Sequence, residues 1–192
     1  MRFFDEASLP FLPGEYRVAL ADTPWARVGH HRLRRAVFCD EQGLFDGCDR
    51  DVLDDTAIPI IAATCVHAAP DEVVGAVRIN EVSPGLWWGS RLAVDAAHRC
   101  VGGIGAELIR LAVSTANARG CTEFLAHVQA QNAPLFRRLH WDTLDVVTLH
   151  GMPHHRMRAS LAHYPPHGQS ETRYVRPVRV RRSAAPAVVQ AA

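Results

Sequence analysis

A glycine-rich loop between an apolar strand and an apolar helix is the feature that most restricts how this chain can fold. The run Leu86–Val94 is typical of a buried strand, and residues 104–118 carry apolar side chains at helical spacing. The loop between them ends in Gly102-Gly103-Ile104-Gly105-Ala106. Glycines let the backbone approach a ligand closely, and the first turn of a helix offers free N–H groups to an anion. The sequence therefore predicts a strand, loop and helix unit that could hold a phosphate.

The rest of the pattern places this unit in one mixed α/β domain. A meander of strands followed by alternating helices and strands indicates a single domain over residues 1–163. Residues 164–192 are rich in proline and arginine and have no helical period, which predicts a flexible tail. Strands are predicted at residues 15–20, 58–67, 73–79, 86–94, 123–128, 144–149 and 156–162, and helices at 25–39, 104–118 and 132–139.

Composition excludes several classes of protein. The net charge of +1 gives no broad field for nucleic acid or an anionic membrane. No apolar run approaches the roughly 18 residues that span a bilayer, and the acidic N-terminus is unlike a signal peptide, so we expect a cytoplasmic protein. All 21 basic residues are arginine, which excludes a P-loop lysine or a lysine Schiff base. Five cysteines without a C-x-x-C pair predict neither a disulfide framework nor a zinc ribbon.

Two clusters of polar residues allow either a purely structural or a functional interpretation. Residues 40–55 contain seven acids and one arginine, which fits either a solvated acidic loop or a site that attracts a cationic amine. His150, His154 and His155 have a spacing that suits metal ligands on a helix, but Gly151 and Pro153 break a helix there. We therefore predict no metal site.

Several motifs around the glycine loop resemble the GNAT superfamily of N-acetyltransferases. The strand end Leu92-Ala93-Val94 precedes the loop as L-x-V precedes that family's acetyl-CoA signature, R/Q-x-x-G-x-G/A. Residues 135–141 (LFRRLHW) stand where the family has F-Y-x-x-L-G-F. Residues 34–43 match R-x-x-V-F-x-x-E-Q-G, residues 74–78 match V-G-x-x-R, and residues 154–157 match the closing H-x-x-M. The resemblance covers about residues 15–162 and is closest to a bacterial subgroup labelled nitrogen-starvation N-acetyltransferases.

The resemblance implies a fold and a co-substrate. The fold would be a central mixed sheet of about 6–7 strands flanked by about 4 helices, splayed between the fourth and fifth strands. The pantetheine arm of acetyl-CoA would add to the exposed strand edge, and its pyrophosphate would rest on the helix N-terminus. The residues implied in cofactor binding are Leu92, Ala93, Val94, Arg99, Gly102, Gly103, Ile104, Gly105, Ala106, Asn132 and Phe136.

The same resemblance implies direct acyl transfer without a covalent enzyme intermediate. The backbone N–H of Val94 would polarise the thioester carbonyl. An alkylamine has a pKa near 10.4, so a base is needed to remove its proton. Glu41 is the first candidate for that base, with Asp40, His67 and His127 as alternatives.

Two positions depart from the family pattern. Counting back from Gly103, the expected Arg or Gln falls on Cys100, and Arg99 reaches the pyrophosphate only with a one-residue insertion in the loop. Phe136 stands where the family usually has a tyrosine, so the common general acid is missing there. A thiol with a pKa of about 8.5 is a tolerable leaving group without full protonation, and turnover does not require that tyrosine.

These observations predict an acetyl-CoA-dependent N-acetyltransferase that acts on a small amine. One alternative is a non-catalytic coenzyme A-binding regulatory or partner module of the same fold. A second is an acyl-homoserine-lactone-type synthase, a related enzyme with a similar early arginine and acidic segment. The expected partner is the small amine; neither membrane nor nucleic acid is expected, and a homodimer is left open.

Overall fold

Eight strands form one sheet through the centre of the molecule. The computed structural model describes residues 14–67, 69–99, 101–166 and 173–175. The sheet order is β6-β7-β5-β4-β3-β2-β1-β8, and only the β4–β5 pair is parallel. The strands are β1 (Tyr16–Leu20), β2 (Ile58–Val66), β3 (Ala69–Ser83), β4 (Leu86–Val94), β5 (Glu123–Gln129), β6 (Trp141–Leu149), β7 (Met152–Ala159) and β8 (Arg173–Val175). The predicted mixed α/β fold is confirmed, and β8 adds one strand to the seven read from the sequence.

Helix α2 (Ile104–Asn117) covers one face of the sheet and builds the larger core. Its positions Ile104, Leu108 and Leu111 are almost completely buried, as the helical spacing of the apolar residues predicts. Gly103 begins the helix with φ +106°, a left-handed conformation that favours glycine. The glycine loop, which follows β4 in the chain, therefore leads into the N-terminal turn of α2.

Helix α1 (Pro24–Arg35) packs on the opposite face and builds a second, smaller core. The Thr23 side chain accepts a hydrogen bond from the Ala26 amide at 3.2 Å, and Pro24 takes the first helical position, as predicted. The predicted helix over residues 25–39 does not stay α-helical: after Arg35 it widens into a π-helical segment, Ala36–Glu41. Such segments are uncommon and often occur at functional sites.

The short helix α3 (Ala133–Arg138) follows β5 and contacts β6. It carries the motif residue Phe136, whose ring packs edge-on against Trp141 with centroids 5.0 Å apart. Among the described residues the molecule thus has three α-helices.

The folded chain continues past residue 163, where the tail was predicted to begin. Tyr164 is 2% exposed; its hydroxyl donates to the Leu139 carbonyl and accepts a hydrogen bond from Trp141 Nε1 at 3.0 Å. Further on, β8 pairs antiparallel with β1. Part of the segment predicted to be a tail therefore belongs to the core and the sheet, and residues 176–192 lie outside the described residues.

Candidate active site

The parallel strands β4 and β5 separate halfway along their length, as the resemblance implied. They pair from Leu86–Glu123 to Gly89–Ala126 and no further. Beyond that point β4 stays on β3 and β5 stays on β7. A register shift in the β3–β4 ladder coincides with Arg91, whose φ is +56°. A bulge of this kind increases local twist, which accounts for the turn of β4 away from β5. The result is a gap between two strand ends.

Backbone groups of β4 face this gap. The Asp95 amide donates to the Val74 carbonyl of β3 at 2.8 Å. Because backbone groups alternate sides along a strand, the N–H and C=O of Val94 point the other way, towards the gap. Arg99 Nε donates to the Val94 carbonyl at 2.9 Å, which leaves the Val94 N–H as the donor on this edge. This geometry suits the oxyanion contact expected of Val94.

The glycine loop lies beside the gap and leaves open space around its backbone. A Cβ built at Gly102 would meet nothing within 4 Å, and one at Gly105 would only touch Val94 and Leu135 side chains at 4.0 Å. Internal packing therefore requires glycine at neither position. No side chain caps α2 at Gly103, so its first amides are available to an anion. Open space and free amides at a helix N-terminus suit an anion, and binding of the coenzyme A diphosphate at these residues stays a prediction from the sequence.

Glu41 and Arg99, predicted as base and diphosphate ligand, form an ion pair with each other. Arg99 Nη1 and Nη2 donate to the two Glu41 oxygens at 2.7 and 2.6 Å. Hydrogen bonds from Arg99 lower the pKa of Glu41 and outweigh the raising effect of burial. A carboxylate held ionised in this way is a weak base, so in this state the structure disfavours the role we expected for Glu41.

An aromatic surface lies on the α1 side of the gap. Trp87 points into the core, whereas Trp88 is half-buried and contacts the exposed His127 ring at 4.8 Å, the division expected for adjacent strand residues. Burial lowers the pKa of His127, and the nearby His154 and Arg156 lower it further, so the neutral form of the ring is favoured. Phe45, from the loop after the π-helical segment, has its ring centroid 5.3 Å from that of His150 and packs against the smaller core, so it lies on the same face of the sheet.

Arginines neutralise part of the acidic segment, whereas Asp40, Asp46 and Asp55 stay exposed, as expected for a solvated loop. Three of its aspartates pair with arginines from α1, β3 and β4. Arg34, completely buried, binds Asp49 through Nε at 2.7 Å and Asp54 through both Nη atoms at 2.5 and 3.0 Å. We call Arg34, Arg78, Arg91, Asp49, Asp51 and Asp54 the ion-pair network. Its three positive and three negative charges cancel.

The ion-pair network holds the loop after the π-helical segment to the sheet. Arg78 binds both Asp51 oxygens at 2.7 Å, and Arg91 reaches Asp49 at 3.1 Å. Burial alone would raise the pKa of Asp54, but hydrogen bonds from Arg34, the Asp51 amide and Arg78 hold it well below its usual range. Sequence analysis missed this role. The available signal was an arginine at an otherwise apolar strand position, Arg78 in residues 73–79.

The other predicted residues fall into three groups. Leu92 and Val94 are half-buried towards the α2 face, whereas Ala93 packs with the α1 core, so only their backbone borders the gap. Asn132 is exposed and makes no capping hydrogen bond, whereas Phe136 is buried and lacks a proton to donate. Ile104 and Ala106 contribute backbone amides in the first turn of α2. The alternative bases Asp40 and His67 are exposed. Cys100, where the family pattern has Arg or Gln, lies outside the described residues.

The described residues contain neither a metal-binding cluster nor a membrane-spanning helix. They contain no group of three or more His, Cys, Asp or Glu arranged to hold a metal ion. None of the helices in the same part of the chain is long and apolar enough to cross a membrane.

Sequence comparison defines the class of protein to which this fold and site belong. The profile of the acetyltransferase (GNAT) family matches residues 30–141, which include the π-helical segment, β4, the glycine loop and α3. The chain therefore belongs to the GNAT acetyltransferase family. No curated protein matches it with significant sequence similarity.

Solved structures share the fold at low sequence identity. Escherichia coli ElaA superposes with a TM-score of 0.61 at 20% identity, covering 76% of this chain and 98% of that one. The acyl-homoserine-lactone synthase LasI gives 0.59 at 14% identity, covering 78% and 93%. An aminoglycoside 6′-N-acetyltransferase complexed with coenzyme A gives 0.56 at 14% identity, covering 73% and 94%. At these identities the similarity establishes the fold alone.

Proposed function

We propose that this protein is an acetyl-CoA-dependent N-acetyltransferase that transfers the acetyl group directly to the amine of a small molecule. One observation carries the proposal: the gap between β4 and β5 opens beside a helix N-terminus at which Gly102 and Gly105 have no internal packing role. That combination offers a strand edge for pantetheine and free amides for a diphosphate. A solved GNAT-fold neighbour is complexed with coenzyme A, which supports the same cofactor class here.

The residues of this chain would each have a defined task. The amides at the start of α2 would bind the diphosphate, and the gap-facing backbone of Leu92 and Val94 would pair with the pantetheine amides. The Val94 N–H would donate to the thioester carbonyl oxygen, where negative charge develops during attack. The acceptor nitrogen then bonds to the carbonyl carbon, the C–S bond breaks, and the amine proton leaves as the thiol is released.

The acceptor side favours recognition through ring surfaces. Trp88, His127 and Phe45 present aromatic groups there, and the ion-pair network adds no net charge. A small amine that carries an apolar or aromatic group fits this surface better than a polycation does. The likeness to the nitrogen-starvation subgroup stays a prediction from the sequence.

A non-catalytic coenzyme A-binding module is the second candidate. The observation that favours it is Phe136, which is buried against Trp141 where the resemblance leads us to expect a proton-donating tyrosine. Such a module would bind acetyl-CoA as tightly as an enzyme does, but amines would not accelerate release of its thiol.

Calorimetry and a thiol-release assay separate these candidates. The full chain would first be titrated with acetyl-CoA and then incubated with it and a panel of aliphatic, aromatic and amino-acid amines. Amine-dependent thiol release supports the proposal, whereas binding without release under every amine supports the module. A folded protein that does not bind acetyl-CoA refutes both. Release with long-chain acyl donors and S-adenosylmethionine alone would indicate the synthase activity.

A further inference from the structure

At the end of the π-helical segment, the consecutive residues Glu41 and Gln42 contact opposite sides of the gap. Glu41 binds Arg99, which follows β4. The Gln42 side chain accepts a hydrogen bond from Gln129 at the end of β5, at 3.4 Å. We call these four residues the clasp. It joins the two diverging strands on the α1 side, the side where the aromatic surface lies.

All three guanidinium nitrogens of Arg99 already donate hydrogen bonds. Its Nη1 and Nη2 each donate to Glu41, and its Nε donates to the Val94 carbonyl, so every nitrogen of the guanidinium has a partner. A bidentate carboxylate also neutralises the charge that a diphosphate would need. Yet Arg99 lies between Val94 and the glycine loop, where the proposed cofactor binds.

We infer that Glu41 and the diphosphate of the acyl donor compete for Arg99, and that donor binding opens the clasp. The inference rests on the proposed function, because it assumes that coenzyme A lies along the glycine loop. The Glu41 carboxylate occupies the donors of Arg99 as a phosphate oxygen pair would. The pair can be broken at small cost, because the side chains are 44% and 41% exposed and such pairs contribute little stability.

Opening the clasp also changes the acceptor side. Once Arg99 turns to the diphosphate, Glu41 loses the hydrogen bonds that keep its pKa low. Its carboxylate is then unpaired at the edge of the gap and is available to a cationic acceptor or to a proton.

Calorimetry with two ligands tests the competition without an identified acceptor. Coenzyme A carries the diphosphate, whereas pantetheine has the same arm without it. The variants are Glu41→Gln, Arg99→Gln and the double variant, all at exposed positions where folding is not at risk. Glu123→Gln is the matched control, because Glu123 has a similar exposure of 42% and a loose arginine contact at the closed end of the β4–β5 pair.

We expect Glu41→Gln to lower the Kd for coenzyme A by about two- to fivefold, the range that release of an exposed ion pair allows. Its Kd for pantetheine should stay the same, and Glu123→Gln should change neither. The gain should vanish when Arg99→Gln is also present, since it acts through that residue. Equal or weaker coenzyme A binding by Glu41→Gln overturns the inference, as does a gain that persists without Arg99. Wild type that binds no coenzyme A would instead overturn the proposed function.

Discussion

Replacement of Gly105 by glutamate should stabilise the protein and at the same time weaken cofactor binding. Gly105 is the second residue of α2, and a Cβ there has room, at 4.0 Å from its nearest neighbours. Glycine to glutamate improves helix propensity by about 0.5 kcal/mol, and an acid in the first turn adds about 0.3–1 kcal/mol through the helix dipole. The free energy of unfolding should therefore rise by about 1 kcal/mol, which corresponds to a Tm increase of about 2–4 °C for a chain of this size.

The same carboxylate would stand where the diphosphate is proposed to bind. Two such anions about 5 Å apart at a partly shielded surface repel by about 2–3 kcal/mol, or roughly 30- to 150-fold in Kd. Thermal unfolding and calorimetry with acetyl-CoA measure the two effects on one sample. Gly105→Gln is the matched control, because it has the same length and helix propensity without the charge, and it should lose less affinity.

The reasoning requires that the Glu variant has a higher Tm and binds acetyl-CoA more weakly than the wild type. A Glu variant with a raised Tm and an unchanged Kd would show that the diphosphate does not bind at this helix terminus. A lowered Tm would show instead that the open space around Gly105 has been misjudged.

Three further predictions concern stability. Asp49→Asn leaves buried Arg34 with one charged partner fewer. The free energy of unfolding, measured with urea, should fall by about 3–5 kcal/mol. The control Glu123→Gln should change it by less than about 0.5 kcal/mol. His30 is buried, and burial is the main cause that lowers its pKa to about 3. Below pH 6.5 the unfolded chain therefore binds a proton at His30 that the folded chain does not bind. The free energy of unfolding should fall by about 1.4 kcal/mol per pH unit in that range. His30→Gln should flatten that slope. Tyr164→Ala should lower the unfolding free energy by about 3–5 kcal/mol, which a tail residue would not do.

Local patterns predicted the elements that depend on a few neighbouring residues. The Thr23-Pro24 start of α1, the apolar stripe of α2 and the glycine loop were all read correctly, because capping and periodicity are written in adjacent positions. The separation of β4 and β5 came from the family resemblance. Its local cause, the positive φ at Arg91, has no signal in the sequence, because arginine does not favour that conformation.

Long-range pairings were the part that the sequence could not supply. Residues 40–55 looked like a source of negative charge because their partners Arg34, Arg78 and Arg91 lie elsewhere in the chain. Glu41 is predicted as the base because it lies in the matching motif beside the acidic segment, whereas its partner Arg99 is 58 positions away. In both cases a contact between distant segments, which no local pattern encodes, affects the charge state.

The ion-pair network also affects how such a protein can diversify. Asp49, Asp51 and Asp54 anchor the loop after the π-helical segment. Of the neighbouring residues 43–48, Leu44 and Phe45 pack against the smaller core and the others are exposed. Under the proposed function, substitutions at the exposed positions would reshape the surface proposed to meet the acceptor while the anchor stays intact. Selection could then alter the proposed range of amines over a few mutations without first restoring lost stability.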